Sequence, residues 1–271
     1  MNAVLLIERT PLGPGFAETW TLNAPATRNA LTDEMVAALG AACQRASADA
    51  ALRVVVLRGA GGHFCAGGSL GHFASAIGQP HTSGSDPLVA MNRTYGQLLQ
   101  ALCALPQVLI VAVQGAAMGG GVGLVCCADH VLAAPDAQFA TPEVTLGIVP
   151  AQIAPFVVRR LGAARARDWL LSGARWGAEQ ARAAGLVNAV ASDDFDTDLL
   201  QQLKRFAQAA PAAAAETKQL LALLDAPLDS VLNTAAQAFA RSLRGSEAPQ
   251  GLKAFAARQP APWVPAEGGA A

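Results

Sequence analysis

The spacing of apolar and polar positions changes period several times along the chain. The opening stretch "VLLIERTPLGPGFAETWTLNAP" reads as two short strands around a Pro/Gly turn, which predicts a β-hairpin. "TDEMVAALGAACQRASAD" is helical in period, with Thr32 placed as N-cap and Asp33 and Glu34 in the first turn, where the helix dipole favours acids. "LRVVVLRG" and "QVLIVAVQG" are short, continuous apolar runs, the pattern of strands buried on both faces. Between them lie a glycine-rich loop, a polar stretch over residues 78–87 expected to be a mobile loop, and a helix, "PLVAMNRTYGQLLQALCAL", that stops before Pro106.

After the second strand come a glycine turn, "GAAMGGG", and a short helix, "VGLVCCA". "HVLAAPDAQFATPEV" reads as two short strands around a turn at Pro135 and Asp136. Strands alternating with helices predict βαβ crossovers and a largely parallel sheet, so the fold class is α/β. Beyond residue 196 the chain is almost wholly helical and Ala-rich. Two parts are therefore expected: a core over 1–195, and a helical segment over 196–271 that covers a site or joins subunits.

The 28-residue stretch from Ala101 to Ala128 carries no charge, long enough to span a bilayer. It also contains Pro106, Gln107, Gln114 and a glycine cluster, which favour a buried strand, a turn and a buried helix. With 271 residues, a formal charge of -1 and no Lys/Arg cluster, the chain lacks the electrostatic footprint of a nucleic-acid or anionic-membrane binder. A small molecule is the expected partner. Cys43, Cys65, Cys103, Cys126 and Cys127 show no ligand-type spacing, nor do His63, His72, His81 and His130. No metal or redox cofactor is expected, and the first residues lack a signal-peptide pattern, so the expected location is cytoplasmic.

Two motif matches are set aside. "GGSLG" fits the G-x-S-x-G nucleophile elbow at Ser69, but about ten loop residues separate it from the preceding strand, and no histidine lies in the C-terminal half. Neither dinucleotide nor P-loop fingerprints can be laid over the glycine loops. The glycines of residues 119–121 serve either a close helix–strand approach or a site. Because each cluster follows a buried strand and leads toward a helix, each can present a free backbone NH at a strand's carboxyl end. Two such donors converging would make an oxyanion hole, with a helix dipole behind Gly120.

The segments "NAPATRNALT", "GAGGHFCAGGSL", "VAVQGAAMGGGVGLVCCAD", "FATPEVTLGIVPAQIAPFVVRRLG" and "LSGARWGAEQARAAGLVNAV" stand in the order and spacing of the crotonase, or enoyl-CoA hydratase/isomerase, superfamily, which this chain resembles from about residue 4 to 260. The resemblance implies a crotonase-like spiral of ββα units with a C-terminal helical segment, homotrimers or hexamers built as dimers of trimers, and an acyl-CoA substrate, with coenzyme A part of the substrate rather than a cofactor. It places the hole donors at Gly68 and Gly120 and the acid/base carboxylate at Glu143. Contacts to CoA fall on Arg28, Ala30, Ala66, Gly68, Ser69, Leu70, Lys253 and Arg258.

Two positions depart from the family pattern. Gly123 stands where many relatives carry a second glutamate, and Ser69 where they carry Asp. A double-bond isomerase needs one carboxylate, so Glu143 suffices for it. Alternatively, Gly123 makes room for a branched or carboxylated acyl group. "IVPAQIAPFVVRRLG" is similar to hydratases acting on 3-methylglutaconyl-CoA and isohexenylglutaconyl-CoA, which favours hydration of a branched glutaconyl-type enoyl-CoA. Rival readings are an isomerase and a CoA-binding protein without catalysis. Phe64, Met118, Leu146, Phe156 and Trp169 are candidates for an acyl pocket, with core packing the simpler role for most.

Overall fold

A computed structural model describes residues 3–68, 86–223 and 245–265, with some positions between 232 and 241. Strands β1 (Leu5–Leu12) and β2 (Gly15–Leu22) form the expected antiparallel hairpin. Next come β3 (Leu52–Gly59) and β4 (Val108–Val113), then β6 (His130–Ala133) and β9 (Ala189–Val190), all parallel in one six-stranded sheet of order β1-β2-β3-β4-β6-β9. A smaller sheet holds β5 (Ala116–Met118), β7 (Gln138–Ala140) and β8 (Arg175–Gly177) in the order β5-β7-β8.

The continuous apolar runs behave as their pattern predicts. Along β3 and β4 the side chains alternate between two cores. Val55, Leu57, Leu109 and Val111 face one side, with Leu39 of α1 (Asp33–Ser47) and Leu98 and Leu99 of α2 (Pro87–Cys103). Val54, Val56, Val108 and Ile110 face the other, with Phe195 and Leu199 of α7 (Phe195–Phe206). The division drawn at 195/196 thus falls at the start of a helix whose first turns pack on the sheet. The Thr32 side chain accepts from the Met35 NH, which caps α1 as expected.

Two local readings change. The turn over 115–121 contains β5, whose three residues pair with β7 while Cys65 bridges to Ala117. β6 and β7, adjacent across the Pro135–Asp136 turn, enter different sheets, so the chain there steps from one layer to the other. The uncharged run from 101 to 128 is divided among the end of α2, β4, β5 and α3 (Gly120–Cys126), and among the described residues no helix is long and apolar enough to cross a membrane. The remaining helices include α4 (Ala154–Leu161), α5 (Ala163–Ser172), α6 (Ala178–Ala184), α8 (Pro211–Leu221) and α9 (Glu247–Ala256).

The C-terminal segment is fastened at the amino end of β3. Arg53, 7% exposed, donates to the carbonyls of Leu12, Ala207, Ala209 and Trp263 at 2.6–3.2 Å. Glu247 accepts from the NH groups of Ala212 and Ala213, satisfying free donors in the first turn of α8.

Candidate active site

Three loops converge at the carboxyl ends of β3 and β4, where parallel sheets form their sites. The first, residues 24–31, is shaped by Asn29, a fully buried residue in the left-handed region at φ 58°. Its side chain accepts from the Ala24 NH and donates to the carbonyls of Ala60 and His63, tying this loop to the second. Asn tolerates that backbone region and can hydrogen-bond locally. Backbone bonds complete the connection: Ala66 NH to the Arg28 carbonyl at 2.9 Å and Leu31 NH to the Gly67 carbonyl at 2.8 Å. The second loop joins the third through Cys65 NH to the Ala116 carbonyl and Met118 NH to the Cys65 carbonyl, both 2.9 Å.

This weave requires glycine at Gly67. Its φ is +87°, and a Cβ there would stand 2.7 Å from the Met118 carbonyl oxygen and 3.4 Å from the Gly120 nitrogen. The glycine loops therefore touch, with Gly68 and Gly120 on either side of the contact. Among the hydrogen bonds of the described residues, neither the Gly68 NH nor the Gly120 NH donates. Both peptides are polarised from behind. The Gly67 carbonyl accepts from Leu31, and the Gly119 carbonyl accepts from Val122 at 2.9 Å and Gly123 at 3.3 Å. A carbonyl that accepts strengthens the NH of the same peptide as a donor.

Gly68, Gly120 and Glu143 line one cleft of about 580 Å³. Glu143 sits in the short 3-10 turn Pro142–Leu146 that follows β7, and its Oε1 lies 2.8 Å from the point a Cβ on Gly119 would occupy. Its Oε2 is buried without a hydrogen-bond partner. Burial pushes this carboxyl above its ordinary range, outweighing the opposing pull of its own backbone NH. Such a group is a stronger base than a solvated glutamate and holds a proton nearer neutral pH.

The space beside Gly123 is filled. A Cβ there would stand 2.7 Å from Ile153 Cγ2, 2.7 Å from the Tyr95 hydroxyl and 3.3 Å from Leu99 Cδ1. The expectation that Gly123 opens room for a branched acyl group is therefore corrected: the missing side chain makes way for Tyr95 and Ile153. Tyr95, on α2, lines the cleft and donates its hydroxyl proton to the Gly120 carbonyl. The sequence reading passed over it; the signal was there in one tyrosine in 271 residues, within an otherwise ordinary amphipathic helix.

The other expected contacts divide. Arg28, exposed at φ 52°, and Ala30 and Ala66, half-buried, lie along the seam between the first two loops beside Gly68. Ser69 and Leu70 lie outside the described residues. Lys253 and Arg258 are exposed on the C-terminal segment, which Arg53 and Trp263 fasten at the amino end of β3; one chain does not bring them to its own cleft. None of the five acyl-pocket candidates lines it. Phe64, Phe156 and Trp169 are core residues, Met118 is half-buried in β5, and Leu146 is 56% exposed.

His63, for which no chemistry was expected, accepts from the Ala116 NH at 3.3 Å and so braces the third loop. Burial pushes the Cys43, Cys65 and Cys126 thiols up to about 12, too high for nucleophiles near neutral pH. Among the described residues no cluster of His, Cys, Asp and Glu is disposed to hold a metal ion.

Two backbone NH groups and a carboxyl whose Oε2 has no hydrogen-bond partner line one cleft, an arrangement able to stabilise negative charge on a carbonyl oxygen. Residues 18–265 match the sequence profile of the family described as Enoyl-CoA hydratase/isomerase. The chain belongs to that family, the crotonase superfamily, and its substrate class is an acyl-CoA thioester. It is 36% identical over 203 residues to the 2,3-dehydroadipyl-CoA hydratase of Escherichia coli K12, covering 74% of this chain and 76% of that protein. It is 35% identical over 188 residues to 1,2-epoxyphenylacetyl-CoA isomerase from the same organism, covering 69% and 71%. The crystal structure of an enoyl-CoA hydratase/isomerase from Marinobacter aquaeolei superposes with a TM-score of 0.90 at 42% identity, covering 96% of this chain and 99% of that one.

Proposed function

We propose that the protein hydrates the double bond of an enoyl-CoA. The supporting observation is the grouping in one cleft of Gly68 and Gly120, whose NH groups donate to none of the described residues, with Glu143, whose Oε2 has no partner among them. The thioester oxygen accepts from both NH groups. Glu143 takes a proton from water as the water oxygen bonds the β-carbon, and negative charge grows on the thioester oxygen. Glu143 then returns the proton to the α-carbon, so one water is added and the carboxylate is restored. Loss of one hole donor costs about 3 kcal/mol in other enzymes, so the backbone carries a large share of the catalysis.

The lining supports an uncharged acyl chain over the glutaconyl type. Val36, Ala37, Met91, Ile148 and Ile153 supply apolar surface, and none of the described lining residues is Lys or Arg. Residues 69–85 also contain neither. The expected assembly is a trimer, or a hexamer of paired trimers, which light scattering on the purified protein measures.

The test is a panel of enoyl-CoAs in ¹⁸O-labelled water, comparing 3-methylglutaconyl-CoA and its isohexenyl homologue with uncharged branched chains. Incorporation of label, fastest with the uncharged chains, supports this reading. A second reading, a double-bond isomerase, is favoured by the single carboxylate beside the hole; a product with a moved double bond and no label would establish it. Binding of acyl-CoA with no turnover would leave a CoA-binding protein.

A further inference from the structure

The hydroxyl of Tyr95 is the polar group that stands in the space of a side chain at position 123. It lies 2.7 Å from the Cβ point of Gly123 and 3.5 Å from that of Gly120. It faces the same glycine segment as Glu143, whose Oε1 lies 2.8 Å from the Cβ point of Gly119, and both residues line the cleft. A phenol has one donor and two acceptor lone pairs. The donor is committed to the Gly120 carbonyl, which leaves the oxygen able to accept.

We infer that Tyr95 Oη holds the attacking water, accepting a hydrogen bond from one of its hydrogens while Glu143 takes the other. This rests on the hydratase reading. In the addition step the O–H bond toward Glu143 breaks, the water oxygen bonds the β-carbon, and the thioester oxygen receives the electron pair. The hydrogen directed at Tyr95 stays on the oxygen as the product hydroxyl, and Tyr95 keeps its own proton on the Gly120 carbonyl. Tyr95 thus needs no ionisation, which suits a phenol whose pKa burial pushes up. The second carboxylate of other family members is replaced by a neutral acceptor.

A merely structural Tyr95 would act by holding the Gly120 carbonyl and hence the oxyanion hole. Two readouts separate these roles. Hydration needs water held in place, whereas exchange of the α-hydrogen of a saturated acyl-CoA in D2O needs only the hole and Glu143. Tyr95→Phe keeps the ring, and hydration kcat is expected to fall about 100-fold, within the range for positioned proton-transfer groups, while exchange changes less than 3-fold. Equal loss in both readouts, or unchanged hydration, overturns the inference.

Because Tyr95 is the chain's one tyrosine, biosynthetic 3-fluorotyrosine alters this hydroxyl alone and preserves its shape. It weakens the oxygen as an acceptor, so hydration should drop several-fold with exchange unchanged; no change in hydration contradicts the assignment whatever the Phe variant does. If the wild-type protein exchanges the α-hydrogen but hydrates no enoyl-CoA, the hydratase reading itself fails and the water role with it. That failure appears without any variant, so it is distinct from a failure of Tyr95 in an active hydratase.

Discussion

A Cβ added to Gly119 would stand 2.8 Å from Glu143 Oε1, so the Glu143 carboxylate rests against the segment that carries the Gly120 NH. Gly119 has φ +49°, a left-handed conformation that a side chain would strain. Gly119→Ala should therefore push Glu143 aside as well as strain the turn. We expect kcat to fall at least 100-fold with a cost of about 1–3 kcal/mol in stability, read by steady-state kinetics and chemical denaturation.

Gly67→Ala disturbs the proposed hole from the opposite side. Its new methyl would meet the Met118 carbonyl at 2.7 Å, and backbone cannot swing away as a flexible side chain can. The loops must separate, which draws the Gly68 NH away from the Gly120 NH. A loss of about 100- to 1000-fold in kcat follows, the scale of one missing donor, with Glu143 untouched.

The two buried acids respond oppositely to pH. Burial raises the Glu143 pKa, so its contribution to stability is fully present below the unfolded carboxylate value and is lost as pH rises through the folded value. Glu143→Gln should raise the melting temperature near neutral pH while lowering kcat about 100- to 10000-fold. The wild-type rate should fall on acidification through a pKa above the usual glutamate range.

For Glu18, burial raises the pKa, but the bidentate Arg45, the Trp20 indole and the charge of Arg9 together more than offset it. Its lowered value gives stability present above the unfolded pKa and lost as pH falls through the folded one. Glu18→Gln should weaken the protein near neutral pH and flatten its acid-side loss, measured by calorimetry across pH.

Arg53→Met leaves four carbonyls without their donor, at a cost of about 3 kcal/mol. The effect should concentrate in the segment around Trp263 and the start of α8. Hydrogen exchange there should accelerate while β3 and β4 stay protected.

Much of the frame around the cleft was legible because it is local in sequence. β3 and β4 are unbroken apolar runs, Thr32 is a cap where the pattern places one, and the glycine loops follow their strands directly. What was not legible depends on approach through space. Asn29 locks two loops more than 30 residues apart, and nothing local marks it. Gly123 read as an opening because its occupants, Tyr95, Leu99 and Ile153, come from elements nearly 30 residues away on either side. β5 is three residues of Ala and Met whose strand character comes wholly from its partners. The helices α4 to α6 are short and joined by glycines, so no period extends far enough to be read.

The central claim is that Glu143 moves a proton at the carbon beside a thioester held by Gly68 and Gly120. A saturated acyl-CoA forms the enolate but cannot be hydrated, so its α-deuterium uptake in D2O, followed by mass spectrometry, isolates that step. The wild-type protein should incorporate deuterium, and Glu143→Gln should bind the same acyl-CoA with incorporation reduced at least 100-fold. Equal incorporation by the two proteins would contradict the account.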